Sequence, residues 1–182
     1  MKNLLLTLLT ASFFLISCKA SKESSTKVSA NYVDPCETVA NDSSEYLRMY
    51  GSDTSLNLQS AISGARRHAF NKVGYRITDA TKKALQGISD IQDSVRLKGL
   101  EYVRNGIIIP SYKILKSNIY KQPNGMYRAS VCIETTIKKG DICEDIILQL
   151  EKNGCIIGNV ELFKDIFIKK LFEDEEFEKH FK

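Results

Sequence analysis

Histidine is nearly absent from this chain, with only His68 and His180 among 182 residues. Neither has a second ligand type at metal spacing, so no zinc site is expected. Glycine never gathers into a phosphate-cradling loop. No Gly-x-Ser-x-Gly elbow lifts a serine out of a turn, and no Cys-x-x-Cys pair occurs. Basic residues form no stripe and the formal net charge is only +4, which argues against nucleic acid as a partner. Carboxylates are plentiful at Asp141, Glu144, Asp145 and from Glu173 to Glu176, but they are spaced as solvated helix faces. No pair among them stands out as a general acid and base. Long hydrophobic runs are missing as well. The apolar block from Leu4 to Ile16 is interrupted by Thr7, Thr10 and Ser12, and it falls short of the roughly 20 residues that a membrane span needs. No internal repeat is visible.

That short apolar block follows one basic residue, Lys2, and closes on Leu15-Ile16-Ser17-Cys18. Apolar, then small, then cysteine is the pattern of a bacterial lipobox, whereas an ordinary secretory signal would end in a small-x-small site. The reading is a signal peptide over residues 1–17, lipidation at Cys18, and a tether over 18–33 rich in Ser, Lys and Ala. Two or three acyl chains on one cysteine anchor durably where one chain holds only marginally. Lys19 stands where an inner-membrane retention signal would have Asp. No acidic run follows the cysteine to direct surface export. The expected location is therefore the outer membrane, with its periplasmic face favoured over the cell surface.

The rest, residues 34–182, is of a size for one domain. Glu45 to Tyr50 alternates and reads as a short strand ending at Gly51. Asp53, Thr54 and Ser55 offer cap oxygens to a helix carrying Leu58, Ala61, Ile62, Ala65, Ala69, Val73 and Ile77. Ala61, Ala65 and Ala69, with Gly64 beside them, form a small-residue stripe suited to close packing against a sheet or second helix. A second helical region is expected from Asp79 to Arg104, with a kink or break near Gly87 or Gly99. Ile107 to Lys121 turns to β-branched and aromatic residues, and Gln122-Pro123-Asn124-Gly125 signals a turn. The returning strand puts Tyr127, Ala129, Val131, Ile133, Thr135 and Ile137 on one face, with Arg128, Ser130, Cys132, Glu134 and Thr136 on the other. Two more helices follow. One runs from Asp141 to Lys152, and one is capped by Asn159 and lined by Phe163, Ile166, Phe167, Leu171, Phe177 and Phe181. The fold class is α+β: an antiparallel sheet, made of a short N-terminal strand plus a long hairpin, packed on two long helices with two further C-terminal helices.

Candidate functional residues are few. Arg66, Arg67, Lys72 and Arg76 suggest an anion-binding or partner surface, against the simpler reading of a wet helix face. With Cys18 lipidated, Cys36, Cys132, Cys143 and Cys155 remain, and four thiols allow three fully paired connectivities. Cys143 falls on the buried side of its helix and reads as a core thiol. Cys132 lies on the polar side of its strand, so it is expected to be covered or paired, with Cys36 and Cys155 as partners. No thiol has a basic neighbour that would make it a nucleophile.

Tyr46 to Gly51 followed by Ala61, Ala65 and Ala69, then a hairpin whose return begins Gly125-Met126-Tyr127, resembles the Lpp-twenty family of outer-membrane lipoproteins. The resemblance covers about Tyr46 to Ile137. It implies helices packed on an antiparallel sheet in a dodecin-like α+β layer, and it carries no catalytic residues. It leaves the two helices after Gly140 unexplained. The expected function is a lipid-anchored envelope protein acting as a non-catalytic binding or assembly module, without cofactor or metal. It would meet the membrane through Cys18 and a protein partner in the envelope. Two alternatives are a small-ligand binder with a dodecin-like pocket and an envelope enzyme with an unrecognised site.

Overall fold

The computed structural model describes residues 34–37, 39, 45–89 and 91–172. It is an α+β fold with three antiparallel strands and four helices. In chain order these are β1 (Tyr46–Ser55), α1 (Leu58–Gly87), α2 (Asp93–Asn105), β2 (Tyr112–Lys121), β3 (Tyr127–Lys138), α3 (Lys139–Lys152) and α4 (Val160–Phe172). The sheet order is β1-β3-β2, so the return strand of the hairpin is central. α1 lies across one face of the sheet, α2 and α4 pack on α1, and α3 packs on α4. Phe177 and Phe181, like Cys18 and the whole 1–33 segment, lie outside the described residues.

Three boundaries differ from the sequence reading. β1 is not short: it runs through Gly51 to Ser55. Gly51 is there because α1 approaches closely, and any Cβ at this position would collide with the Ala65 carbonyl oxygen and the Ala69 amide nitrogen. The cap of α1 is Asn57, whose side chain accepts from Ser60 N at 3.1 Å, while Asp53, Thr54 and Ser55 stay in the strand. The two long helices are also divided differently. α1 is one 30-residue helix ending at Gly87, so Asp79 to Gly87 belongs to it, and α2 has only 13 residues and runs unbroken through Gly99. Arg96 fastens the junction, donating to the carbonyls of Ile88 at 2.7 Å and Ile91 at 3.4 Å and to Asp93 Oδ1 at 2.9 Å.

Other local features follow the sequence. Ala61, Ala65 and Ala69 are wholly buried, which seats α1 directly on β1. Gly125 closes the hairpin at φ 84°, where a side chain would be strained. α3 ends in a Schellman arrangement: Cys155 N donates to Leu150 O and Gly154 N to Glu151 O, each at 2.9 Å. Asn159 Oδ1 accepts from Leu162 N at 3.1 Å and caps α4, which buries Phe163, Phe167 and Leu171 against α1.

The main core joins Leu47 and Met49 of β1, Ile133 of β3, the inner faces of α1, α3 and α4, and Cys155. A smaller cluster of Ala61, Ala65, Ile119, Ala129 and Val131 lies under the first turns of α1. The register of β1 on β3 shifts between Tyr46 and Arg48. There Thr135 replaces a ladder bond: its hydroxyl accepts from Leu47 N at 3.2 Å and donates to Ile137 O at 2.9 Å.

Candidate functional site

The helices occupy one face of the sheet, and the polar chemistry collects on the other. Strand alternation carries Arg48 and Tyr50 of β1 to that outer face, beside Ser130, Cys132 and Glu134 of β3. Lys113 and Lys116 of β2 join them, the register shift between Ile114 and Lys116 allowing both to lie on the same side. A solvated sheet face ordinarily leaves such residues wet. Here Ser130, Cys132 and Glu134 are all buried, so the central strand is buried on both faces from Ala129 to Thr135.

Two devices account for the chemistry of this face. The first is the disulfide between Cys36 and Cys132, which brings the turn around Cys36 onto the middle of the sheet. Asp34 Oδ1 accepts from Cys36 N at 2.7 Å and shapes the turn that presents Cys36. The second is a cross-strand charge row. Glu134 Oε2 accepts from Arg48 Nε at 2.6 Å, and its Oε1 lies 2.8 Å from Lys113 Nζ. Burial works against the Glu134 carboxylate. The hydrogen bonds from Lys113 and Arg48, and their charges, outweigh it and hold its pKa below the usual value. Lys113 Nζ also lies 5.7 Å from the centroid of the Tyr46 ring.

The residues expected to form an anion surface on α1 do not form one surface. Arg66 and Arg67 are exposed on α1. Lys72 reaches over Tyr50, its Nζ 5.2 Å from the ring centroid. Arg76 is buried and donates from Nη1 to the Leu171 carbonyl at 3.3 Å, fastening α4 to α1. His68 Nδ1 lies 2.7 Å from the Ser52 carbonyl oxygen, which fixes its donating tautomer. Lys72, Arg76 and His68 are thus spent on joining elements.

Of the cysteines, Cys143 is buried as expected. Burial pushes its thiol up to about 12, so it remains protonated at neutral pH and is a poor nucleophile. Cys155 is a second buried free thiol and not the partner of Cys132; burial raises its pKa too, against a backbone hydrogen bond from Gly99. A cleft of about 480 Å³ lies between α3 and α4, lined by Gly140, Cys143, Glu144, Glu161, Lys164 and Lys169 among others. Lys164 and Glu144 bridge it at 3.2 Å. Among the described residues no three His, Cys, Asp or Glu side chains are grouped to hold a metal ion, and no helix is long and apolar enough to cross a membrane.

The row Arg48–Glu134–Lys113 was missed in the sequence. Arg48 and Glu134 are 86 positions apart, and only the antiparallel pairing of β1 with β3 makes them neighbours. The usable signal was the lone acid in an otherwise polar or apolar strand. No protein-family model, curated protein or solved structure matches this chain.

Proposed function

We propose that this is a lipid-anchored bacterial envelope protein, placed on the periplasmic side of the outer membrane, that acts as a non-catalytic binding or assembly module. The observation that carries the reading is the Cys36–Cys132 disulfide. Structural disulfides belong to oxidising compartments. This one lies just beyond the segment that begins at Leu15-Ile16-Ser17-Cys18. The site chemistry supports a binding role: Glu134 is held between two cations, and the Cys143 thiol is kept protonated. Kinship with the Lpp-twenty lipoproteins is part of the same proposal, and the seating of Gly51 on Ala65 and Ala69 agrees with it.

The test is fractionation of cells that express the full chain. Wild type is expected in the membrane fraction with an acyl-modified N-terminal peptide. Cys18→Ala is expected as soluble protein or unprocessed precursor. Recovery of Cys18→Ala in the membrane at the mass of delipidated wild type would falsify the anchor. A small-ligand reading has the α3–α4 cleft as its site. It predicts that Lys164→Ala weakens ligand binding while leaving membrane association intact.

A further inference from the structure

The two edges of the sheet are finished differently. At the two ends of the β2–β3 pair, Gln122 N donates to Met126 O at 2.8 Å and Thr136 N to Ser111 O at 3.0 Å. Even-numbered residues of β3 therefore bond toward β2, and its odd-numbered residues bond toward β1. The register then turns Ser52 and Thr54 outward on β1, and Tyr112, Ile114, Ser117, Ile119 and Lys121 outward on β2. On β1 the outward groups are taken. His68 Nδ1 lies 2.7 Å from the Ser52 carbonyl oxygen, and Thr54 N donates to Asp53 Oδ1 at 2.8 Å. On β2 no described residue bonds to the outward N–H and C=O groups, and β3 is the strand's one partner among the described residues. α1 seats chiefly on β1 and β3, so Ile114, on the helix side of β2, is left 39% exposed.

We infer that the β2 edge takes up an extended acidic segment of a partner protein as a fourth strand beside β2. This rests on the assembly reading above and names the kind of partner that reading needs. In such an addition the main chain supplies affinity, and the side chains beside the edge supply selectivity. Here those side chains favour acid. Lys121 is exposed on the helix side, opposite Tyr127 and 5.5 Å from its ring centroid, and no described carboxylate pairs with it. Arg66 is also exposed and stands one turn from both Ile62 and Phe70 on α1. That row faces β2: Ile62 packs with Ile119, and the Phe70 ring is 5.3 Å from the Tyr112 ring. Lys113 is held by Glu134 and adds nothing to this count. A second copy would bring no acid with its own β2, because none stands between Ile107 and Ile133. The register shift between Ile114 and Lys116 leaves Lys116 to Lys121 as the regular run open to a partner. A bulge and edge lysines are means by which a sheet resists indiscriminate pairing, and they favour a strand of opposite charge.

The test uses the full mature chain in detergent micelles and, as probe, an eight-residue peptide that alternates valine and glutamate. Amide hydrogen exchange is read residue by residue. In large excess of peptide, the amides of Ser117, Ile119 and Lys121 should slow at least about tenfold. Those of Asn118 and Tyr120, already turned toward β3, should change little. Ser117→Pro removes an outward N–H that the fold does not use, so the sheet should persist by circular dichroism while the protection disappears. Lys121→Glu keeps every main-chain group, carries the test if the proline variant fails to fold, and should weaken peptide binding at least about threefold. Unchanged exchange at the three wild-type amides overturns the edge proposal and leaves the assembly reading to other surfaces. Equal protection by a peptide that alternates valine and lysine overturns the acidic partner. Slowing that rises with protein concentration in the absence of peptide assigns a second copy and overturns the partner strand. The anchor is read separately, by fractionation of Cys18→Ala.

Discussion

Glu134 is a buried carboxylate whose partners differ in exposure, Arg48 being largely covered and Lys113 half in water. Its folded pKa is lowered, so its contribution to stability is present above the ordinary glutamate range and is lost as pH falls through the depressed folded value. Stability of wild type should therefore drop below about pH 4, and Glu134→Gln should flatten that part of the profile while lowering stability near neutrality by about 1–3 kcal/mol. Denaturant midpoints measured across acidic pH check this, and an unchanged profile would show that the row carries no stability. At this scale the sequence was informative about some residues and silent on others. The burial of Cys143 follows from helical spacing within one turn. The partnership of Arg48 with Glu134 and the inward turn of Arg76 both depend on distant elements, and no local pattern encodes them.

Gly51 shows how one residue can carry two opposite meanings at the level of elements. Next to a short alternating run it reads as a stop, yet β1 continues through it because the glycine makes room for the helix above. The alanine stripe on α1 did signal close packing, and its counterpart was the glycine taken as a terminator. Gly51→Ala should cost about 1–3 kcal/mol, since the added carbon meets backbone atoms that cannot step aside. Ala65→Leu should cost a similar amount from the other side of the same contact. Gly140 in α3 is the contrast: its Cβ position is open, so Gly140→Ala should be neutral or gain up to about 1 kcal/mol. Thermal or urea unfolding of the three variants decides this, and equal effects at Gly51 and Gly140 would contradict the close seating of α1. The length of α1 was hidden for a related reason: apolar spacing continues past Ile77, and only the geometry at Gly87 and Arg96 shows where the helix stops.

For the molecule as a whole, the disulfide joins positions 96 apart and so ties the segment before β1 to the central strand. Replacing Cys36 and Cys132 together by serine should destabilise the protein by about 2–5 kcal/mol, chiefly by freeing the unfolded chain. Chemical denaturation of the double variant measures it, and a loss under about 1 kcal/mol would mean that the bond constrains little. The α+β class was legible because the hairpin and the amphipathic helices announce themselves within short windows. The strand order was not, because β1 finds its partner only across two intervening helices. That separation also imposes a chronology. The chain is made from its N-terminus, so β1 and Cys36 exist before β3 and Cys132, while α1 can coil as soon as its own residues are available. Sheet closure is then a late, non-local event. Cys36 cannot meet its partner until β3 is made, and Cys143 and Cys155 follow soon after Cys132 in the chain. In the folded protein both are withdrawn into the core, so the packing of α3 and α4 leaves these two competitors out of reach of Cys36.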